Sequence, residues 1–379
     1  MTQTMEKTEP LLRQAWLEID TQALSDNFLK IRAMAGKDRQ IMAVVKADAY
    51  GHGMAETVEV LRRAGADQYA VATVEEGLAL RRLGAEEPIL ILGPLGPEGW
   101  ETAVRFHLAP AVFSLEQAQG IHRLAEQCRT VAPVHIKLNT GMNRLGFALN
   151  DQSLEQIKSI FAMPHLQVAG VFSHFAEADS SPEFTEKQFS AFTSFIGRCG
   201  EQGLHFPLAH IANSAAILDY PQTYLDMVRP GIILYGCPPD AGSRDIGLRP
   251  VLSLHARISQ IHRLQPGEGA GYGRIRRLDR PCLVADIPLG YADGVPRLIS
   301  ERGWVLVEGR RAPLAGRVCM DQMLIDVSDI PQAAPGSLAT LIGQQGGESI
   351  SATTFAAWAD TISYEVLTHL RLRLPKIYR

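Results

Sequence analysis

Ala43-Val-Val-Lys46-Ala-Asp-Ala-Tyr50-Gly-His-Gly53 is the stretch that decides the fold. An apolar run ends here in a lysine, and two glycines follow, which is typical of a buried strand leaving a sheet at its carboxyl end. An ammonium group is costly to bury at such a position, so the pKa of Lys46 is expected to fall unless the amine is paired. A neutral lysine is a good nucleophile toward carbonyl groups. The alternative is a lysine that only extends its amine to solvent.

Similar apolar runs recur through the first 235 residues, and segments of helical periodicity separate them. Strands that alternate with helices predict parallel βαβ units, and eight units in about 200 residues fit a (β/α)₈ TIM-type barrel. A doubly wound open sheet is the alternative, but no GxGxxG follows the first strand, which argues against a dinucleotide-binding version. The predicted strands are 41–45, 69–72, 89–92, 109–113, 134–138, 168–173, 209–212 and 232–235, and the clearest helices are 54–64, 73–83, 114–125 and 185–199.

The pattern changes after about residue 245, where short strands are broken by Pro-Gly, Gly-Gly and Asp-Gly turns. A single long helix is predicted near the end of the chain. The sequence therefore predicts a barrel over 1–245 and a mainly β domain over 246–379. The predicted strands of this domain are 252–261, 282–287, 304–307, 311–314 and 338–342, and the helix is 352–374.

Composition excludes several classes of protein. The 379 residues include 37 basic and 41 acidic side chains, a net charge of −4 that favours neither nucleic acid nor an anionic membrane as a partner. No apolar run reaches the ~18 residues of a membrane span, and the N-terminal stretch 1–9 lacks the apolar segment of a signal peptide. Five cysteines without a CxxC pair indicate reduced thiols. We expect a cytoplasmic protein.

Polar residues stand at the ends of several predicted barrel strands. Active sites of such barrels lie at the carboxyl ends of the strands, and phosphate is commonly bound after strands 7 and 8. The hydroxyl of Ser214 and the open backbone of Gly231 suit a phosphate. Packing alone does not explain so many polar groups at one end, although a buried histidine is common in cores. The residues concerned are Lys46, Lys137, His174, Asn213, Ser214, Arg229 and Gly231.

Metal and serine-hydrolase chemistry are not supported by the motifs. The histidines show neither H-x-E nor HExxH spacing, so no metal site is expected. No G-x-S-x-G is present either. In the second domain, Tyr272 has glycine on both sides, which gives it little local packing. Asp293-Gly294 there is a common hairpin signal.

The chain resembles the bacterial alanine racemases, a family that uses pyridoxal phosphate. The first stretch looks like the lysine motif of that family, and further matches follow in family order and cover about residues 14–379. The resemblance implies a barrel followed by a β domain. The matching segments are Lys137…Gly141-Met-Asn-Arg144-Leu-Gly, Ser173-His174-Phe, His210-Ile-Ala-Asn213-Ser214, Val228-Arg229-Pro-Gly231-Ile232, Gly271-Tyr272-Gly273, Gly290-Tyr291-Ala-Asp-Gly294, Cys319-Met320-Asp321-Gln322 and Thr361-Ile-Ser-Tyr364-Glu365.

By this resemblance, Lys46 would hold the cofactor covalently and act as the base on one face of the bound amino acid. Tyr272, from the second subunit of a homodimer, would be the base on the other face. Arg229 would face the pyridine nitrogen and keep it unprotonated, and His174 would orient Arg229. Arg144 would contact the cofactor and the substrate carboxylate.

The resemblance assigns the remaining residues to cofactor, substrate and entrance. Lys137 matches a position that is often carbamylated, but Asn139 stands where many members carry Asp, which leaves the carbamylation open. A chloride or another anion is the alternative partner of Arg144. The other implied assignments are cofactor binding by Tyr50, Asn213, Ser214, Gly231, Ile232 and Tyr364, substrate binding by Met320, and an entrance narrowed by Tyr291, Asp321 and Tyr364.

The implied function is interconversion of L-alanine and D-alanine, which supplies D-alanine for peptidoglycan. A serine or broad-specificity racemase on the same fold is the alternative within the class, although a large side chain at Tyr364 disfavours larger substrates. An apolar pocket rejects one added hydroxyl only weakly, so some turnover of serine is expected. A non-catalytic cofactor-binding protein is a third hypothesis, and the presence of Tyr272 argues against it.

Overall fold

The structure is a computed structural model of the chain and describes residues 12–240, 242–274, 280–370 and 373–379. It divides into two compact units. One is Thr21–Arg249, and the other joins the segment up to Asp20 to Pro250–Arg379. The sequence placed the boundary at 245 and assigned the N-terminal segment to the barrel. The stretch 1–9, for which no signal peptide is predicted, lies outside the described residues.

The larger unit is a parallel barrel of eight strands, which confirms the predicted fold class. Neighbours in the sheet follow chain order, and the first barrel strand also pairs in parallel with the last. The backbone N–H of Arg229 donates to the carbonyl of Ala212 at 3.0 Å and completes the ring of strands. After β1 (Ala15–Ile19), which belongs to the other unit, the barrel strands are β2 (Gln40–Val44), β3 (Gln68–Val71), β4 (Ile89–Ile91), β5 (Ala109–Val112), β6 (Ala132–Lys137), β7 (Leu166–Phe172), β8 (Ala209–His210) and β9 (Met227–Val228).

Helices alternate with these strands and begin at residues whose side chains accept backbone N–H groups. Ser114, Asn150 and Ser181 each accept one such bond, and Thr73 forms a capping box with Glu76. The four helices predicted from the periodicity are confirmed to within three residues at each end. The helices of this unit are α1 (Thr21–Ala35), α2 (Met54–Ala64), α3 (Val74–Arg82), α4 (Pro97–Arg105), α5 (Leu115–Gln127), α6 (Asp151–Phe161), α7 (Pro182–Glu201) and α8 (Ser214–Asp219).

The predicted eighth strand is wrong. The apolar run Ile232–Tyr235 is a fully buried 3₁₀ helix, and the strand that closes the barrel is β9, only two residues long. A two-residue strand has too few side chains to show an alternating or apolar pattern. Arg229 and Gly231 therefore follow the last strand, whereas the predicted strand 232–235 would have begun after them.

The smaller unit contains two sheets, which confirms the mainly β prediction. One has the strand order β14-β13-β16-β10-β1-β18 with β17 paired to β16, and the other has the order β11-β12-β15. The predicted strand 252–261 is two strands that belong to different sheets. The strands are β10 (Leu252–Arg257), β11 (Gln260–Leu264), β12 (Cys282–Ile287), β13 (Trp304–Val307), β14 (Arg310–Pro313), β15 (Met323–Asp326), β16 (Leu338–Gln345), β17 (Glu348–Ile350) and β18 (Lys376–Tyr378).

The predicted C-terminal helix 352–374 is two shorter helices, α9 (Ala352–Trp358) and α10 (Ser363–His369). Asp360 lies between them with φ 52°, a left-handed conformation that ends a right-handed helix. Within the described ranges, every helix is too short or too polar to cross a membrane.

Candidate active site

Lys46 begins a left-handed turn at the carboxyl end of β2. Ala47, Asp48, Ala49 and Tyr50 all have φ between 53° and 54°. A left-handed conformation costs about 1–2 kcal/mol for each residue with a Cβ atom, so surrounding contacts must hold this turn. Backbone N–H groups at Gly51 and Gly53 donate to carbonyls inside the turn, each at 3.0 Å.

Glu76 of α3 holds the start of this turn. Its carboxylate accepts the backbone N–H of Ala47 at 2.6 Å and, through the other oxygen, that of Ala72 at 2.7 Å. At the other end of the turn, the Asp48 carboxylate accepts the backbone N–H of Met54 at 2.8 Å. The direction of the Lys46 side chain therefore depends on Glu76, which stands 30 residues further along the chain. The Glu76 carboxylate binds the backbone directly after both β2 and β3.

The amine of Lys46 is half-buried, and burial lowers its pKa. The positive charge of Arg144 lowers this pKa further, while the negative charge of Glu76 opposes the shift. A larger share of Lys46 is therefore neutral near pH 7 than for a free lysine. A neutral amine is the form that attacks carbonyl groups and accepts protons.

Arg229 is a buried cation directly after β9. Its guanidinium donates to the Nδ1 atom of His210 at 2.7 Å, to the carbonyls of Ser173 at 2.8 Å and Ile211 at 3.2 Å, and to the Nδ1 atom of His174 at 3.3 Å. Burial lowers the pKa of Arg229 to about 9, so the group is still cationic near neutral pH. These four hydrogen-bond acceptors fix the orientation of the guanidinium.

Neutral histidines surround Arg229. Burial and the charge of Arg229 lower the pKa of His135 to about 3 and that of His210 well below its usual range. Because Nδ1 of His210 accepts from Arg229, its Nε2 carries the proton and donates to Nδ1 of His135 at 3.0 Å. The sequence assigned the orienting role to His174, whereas His210 makes the shorter bond. His210 was quoted only as part of a motif, and His135 was not singled out.

His174 lies near four cationic side chains. Burial lowers its pKa well below the usual value, and the charges of Arg229, Lys137, Arg144 and Lys46 all act in the same direction. Lys137 and Arg229 also lie over the same Phe172 ring, at 4.7 and 5.5 Å from its centroid. The predicted polar residues at the ends of β2, β6, β7 and β9 are therefore close together.

Asn139 shapes the loop that carries Arg144. Its Oδ1 atom accepts the backbone N–H groups of Gly141 at 3.2 Å and Asn143 at 3.0 Å, and its Nδ2 donates to the Asn143 side chain at 3.0 Å. An Asp at position 139 could make the first two bonds but not the third. Arg144 itself is exposed, and Lys137 is buried with its pKa lowered well below the usual value by burial and by the nearby arginines.

Gln188 of α7 is a buried residue that the sequence analysis missed. Its Nε2 donates to Thr140 Oγ1 at 3.1 Å and to the carbonyl of His174 at 3.2 Å, and its Oε1 accepts the N–H of Ala176 at 2.9 Å. One side chain thus joins the loop after β6 to the loop after β7. The sequence marks Gln188 only as a polar residue on an otherwise apolar helical face, and such residues are common.

Tyr50, Ser214 and Gly231 form a cradle near the start of α8. A Cβ atom built on Gly231 would lie 2.7 Å from Tyr50 Oη and 3.7 Å from Ser214 Oγ, so only glycine fits. The N–H of Gly231 donates to Ser214 Oγ at 2.9 Å, and Ile232 is fully buried beside it. Burial raises the pKa of Tyr50, which keeps its hydroxyl protonated. The Asn213 side chain caps α8 by accepting the N–H of Ala216 at 3.1 Å.

The site residues predicted in the second unit lie on turns. Tyr272 is 69% exposed and begins the 3₁₀ segment Tyr272–Arg274, and Met320 is 53% exposed. Asp321 and Tyr291 are also exposed, and Tyr364 is half-buried in α10. The backbone N–H groups of Tyr291 and Ala292 donate to the carbonyls of Cys319 and Met320, each at 2.9 Å. The turns of Tyr291 and Met320 are therefore joined.

Chemically, the barrel unit offers a lysine of lowered pKa, a fixed buried cation and a cradle for a small anion. This combination suits an aromatic cofactor that carries a carbonyl and a phosphate. Among the residues described, no three His, Cys, Asp or Glu side chains are grouped as a metal site would require.

Comparisons with known proteins agree over nearly the whole chain. Residues 19–239 match the family described as alanine racemase, N-terminal domain, and residues 251–378 match alanine racemase, C-terminal domain. The alanine racemase of Halothermothrix orenii is 41% identical over 374 residues, which cover 97% of this chain and 98% of the relative.

Solved structures agree as well. An alanine racemase of Clostridium difficile 630 has a TM-score of 0.93 and 35% identity, covering 97% of this chain and 96% of the other. The alanine racemase from Bacillus anthracis with bound L-Ala-P has a TM-score of 0.92 and 36% identity, covering 98% and 96%.

Proposed function

Because the chain belongs to the alanine racemase family, we propose that it interconverts L-alanine and D-alanine through a covalently held pyridoxal 5′-phosphate. The product D-alanine is the form that peptidoglycan synthesis consumes. The main support for the proposal within this chain is that the barrel unit contains Lys46 with a lowered pKa, the buried cation of Arg229 and the cradle at Gly231. The cytoplasmic location stays a prediction from the sequence.

The residues present fit the cofactor. The Gly231 backbone has no room for a side chain between Tyr50 and Ser214, as a close-fitting anion site requires. When bound, pyridoxal phosphate supplies an electron sink for the substrate Cα. Lys46 would bind it covalently, Arg229 would face the ring nitrogen, and Arg144 would contact its phenolic oxygen. The proposed phosphate ligands are Tyr50, Ser214, Gly231, Ile232 and Tyr364, and Asn213 supports Ser214 by capping α8.

Lys46 and Tyr272 are the proposed bases on opposite faces of the alanine Cα. In one direction Lys46, once the substrate amine has displaced it from the cofactor, would remove the Cα proton, and the Tyr272 hydroxyl would return a proton from the other face, which inverts the configuration. In the other direction the two side chains exchange roles. The lowered pKa of Lys46 supports its role, because a base must be unprotonated to accept the proton.

Arg229 limits side reactions in this proposal. A guanidinium that remains cationic can donate a hydrogen bond to the unprotonated ring nitrogen but cannot accept one from a protonated nitrogen, and its charge disfavours a positive charge on that atom. His210 maintains this arrangement, because its neutral Nδ1 atom accepts the Arg229 bond at 2.7 Å. Its low pKa prevents protonation that would remove the acceptor.

Substrate recognition is proposed to involve both units. Arg144 and Met320 would contact the carboxylate of alanine, while Tyr291, Asp321 and Tyr364 would narrow the entrance. Large side chains at these positions favour alanine over larger amino acids. Serine differs from alanine by one hydroxyl, which an apolar pocket rejects only weakly.

Lys137 is proposed to react with carbon dioxide. Its pKa is lowered well below the usual value, so a larger share of the amine is neutral than in a free lysine, and the neutral amine can add carbon dioxide and release a proton to form a carbamate. The carbamate would carry a negative charge among Arg144, Arg229 and Lys46. Native mass spectrometry at neutral pH, with Lys137→Met as the comparison, tests this modification, because a carbamate loses carbon dioxide in acid.

A homodimer with shared active sites completes the proposal. The second unit exposes several large apolar side chains that a partner subunit would cover. They include Tyr272, Leu298, Met320 and Ile362, each at least 53% exposed. In this arrangement Tyr272, Met320 and Tyr291 act in the active site of the partner subunit. Sedimentation velocity measures the oligomeric state directly.

A substrate screen with chiral detection of products tests the function. Purified protein loaded with pyridoxal phosphate should convert L-alanine to D-alanine and the reverse, with an equilibrium ratio near one. Serine and larger amino acids are assayed in parallel at equal concentrations. Rapid racemisation of serine with slow racemisation of alanine would favour the serine racemase, and no racemisation would favour a non-catalytic cofactor-binding protein.

A further inference from the structure

Asp293 carries a buried charge that the proposed function does not explain. The sequence favoured a hairpin turn at Asp293-Gly294, but Asp293 ends the 3₁₀ segment Tyr291–Asp293 and its residue surface is 2% exposed. Its carboxylate side chain is 0% exposed. A carboxylate withdrawn from water requires compensating charges or hydrogen bonds.

Two arginines from opposite ends of the chain provide the compensation. Arg13 precedes β1, and its guanidinium lies 2.6 Å from Oδ1 and donates to Oδ2 of Asp293 at 2.7 Å. Arg373 follows α10 and places its Nε 3.5 Å from Oδ1. The backbone N–H of Gly290 also donates to Oδ2 at 3.0 Å.

The same groups reach the two turns that carry proposed site residues. The bond from Gly290 closes the turn of Tyr291, whose backbone is joined to Cys319 and Met320. Arg373 places its Nη1 2.7 Å from the carboxylate of Asp321, the neighbour of Met320. Asp293 is therefore linked to both turns. It accepts a hydrogen bond from the Tyr291 turn, and Arg373 pairs with both Asp293 and Asp321.

A role in stability alone accounts poorly for this cluster. Replacing a buried ion pair with packed apolar side chains is often neutral or stabilising, so such a cluster is an inefficient way to stabilise a fold. Charged groups with directional hydrogen bonds do fix one relative geometry of the segments that they connect. Here those segments are the turn of Tyr291 and the chain around Arg13 and Arg373, and Arg373 in turn pairs with Asp321 beside Met320.

We propose that Asp293, held by Arg13 and Arg373, is a positioning residue that sets the Tyr291 and Met320 turns for binding of alanine. This inference rests on the proposed function, in which Met320 contacts the substrate carboxylate and Tyr291 narrows the entrance in the active site of the partner subunit. Asp293 itself acts only through the turns.

Asp293→Asn tests the proposal, because it keeps the size of the side chain and removes its charge. We expect kcat/KM for alanine to fall tenfold or more, mainly through a higher KM, while the visible absorbance of bound pyridoxal phosphate is unchanged. The matched control is Asp329→Asn, since Asp329 is 87% exposed and pairs with Arg280 at 3.4 Å. A kcat/KM for Asp293→Asn within twofold of the control would overturn the proposal.

Mixed dimers separate positioning from a general loss of folding. Asp293→Asn combined with Lys46→Ala should regain up to half of the wild-type activity, because one site then has an unaltered barrel and an unaltered second unit. Asp293→Asn combined with Tyr272→Phe should gain nothing, because both variants alter the second unit. Equal behaviour of the two mixtures, with mixed dimers verified by mass, would contradict the proposal.

A second variant covers the case in which Asp293→Asn does not fold. Arg373→Gln leaves the pair of Arg13 and Asp293 in place and releases only Asp321 and one contact of Asp293. We expect a smaller increase in KM, about threefold to tenfold, with unchanged cofactor absorbance. An unchanged KM would then overturn the proposal. If the wild-type protein does not racemise alanine, the proposed function fails instead, which is a distinct outcome.

Discussion

The two units hold their site residues in different ways. In the barrel unit, Arg229, Lys137 and His174 are buried and surrounded by partners from their own unit. In the second unit, Tyr272 and Met320 lie on turns with more than half of their surface exposed. The barrel-unit residues are held by partners within their own unit, whereas Tyr272 and Met320 of the second unit are largely exposed.

This difference separates two tasks. A cofactor that stays bound through many turnovers needs fixed charges and close packing, which the barrel unit provides. A base or a carboxylate contact needs only to reach the substrate from a defined direction. Variants of Lys46 and Gly231 in the barrel unit should therefore change cofactor binding, and variants of Tyr272 in the second unit should change turnover without changing cofactor binding.

Lys46→Ala is expected to have the largest effect. Loss of the amine removes both the covalent link and one base, so activity should fall by at least about 10⁴-fold and the visible absorbance of bound cofactor should disappear. Lys158→Ala, which removes an exposed lysine of α6, is the control and should leave both unchanged. Absorbance that persists in Lys46→Ala would assign the cofactor to another residue.

Tyr272→Phe tests the second unit most directly, because it removes one hydroxyl from an exposed side chain there. We expect a loss of roughly 10²–10³-fold in kcat in both directions, with the cofactor absorbance unchanged. Tyr220→Phe, in the barrel unit, is the control. Racemisation at the wild-type rate in Tyr272→Phe would exclude the two-base scheme.

Gly231→Ala tests the close fit of the cradle in the barrel unit. The new Cβ atom would lie 2.7 Å from Tyr50 Oη, and relieving this overlap costs about 1–3 kcal/mol. We expect the Kd for pyridoxal phosphate, measured by titration of the apoprotein, to rise roughly tenfold or more. Gly200→Ala in α7 meets no atom within 4 Å and serves as the control. Equal Kd values for the two variants would mean that the cradle is not the phosphate site.

His135→Asn is expected to have the smallest effect, and on stability. The folded protein keeps His135 neutral down to about pH 3, whereas the unfolded chain binds a proton near pH 6.5. The unfolded state therefore binds more protons between these values, and the free energy of unfolding falls as the pH falls. Between pH 7 and 5, this one group should account for about 2 kcal/mol of that decrease, which His135→Asn removes.

Urea unfolding at both pH values measures this difference. The control is His107→Asn, because His107 is exposed and asparagine tolerates its positive φ of 49°. His107→Asn should keep the wild-type pH dependence. If His135→Asn kept it as well, the buried histidine would have to be charged in the folded protein.

The barrel could be predicted because most of its strands are buried apolar runs, and the two-residue β8 continues into the buried Ile211 and Ala212, which extends its signal in sequence. β9 has two residues and gives none, so the nearby apolar 3₁₀ helix Ile232–Tyr235 was mistaken for it. β1 was missed because its position depends on pairing with β10, more than 230 residues away, and no local pattern encodes such a partner. The long C-terminal helix was wrong because its interruption at Asp360 needs only one left-handed residue.

Prediction of the candidate active site from the sequence has the same limit, because local patterns do not encode contacts with distant segments. Lys46, Lys137 and His174 could be found because polar residues stand out at the ends of apolar strands. Gln188 and Asp293 could not, since their importance lies in contacts with distant segments. Whether the second-unit residues act on a partner subunit remains a prediction, because it depends on a second chain.

The left-handed turn after Lys46 has a consequence for how the protein is made. Four consecutive residues in this conformation cost about 4–8 kcal/mol, which is similar to the whole stability of many small domains. Glu76, which holds the turn, leaves the ribosome 30 residues after Lys46, and Gly231 leaves much later. A nascent chain thus cannot hold this turn until Glu76 and α3 have been synthesised. Lys46 reaches its final geometry only after a later part of the barrel has been made.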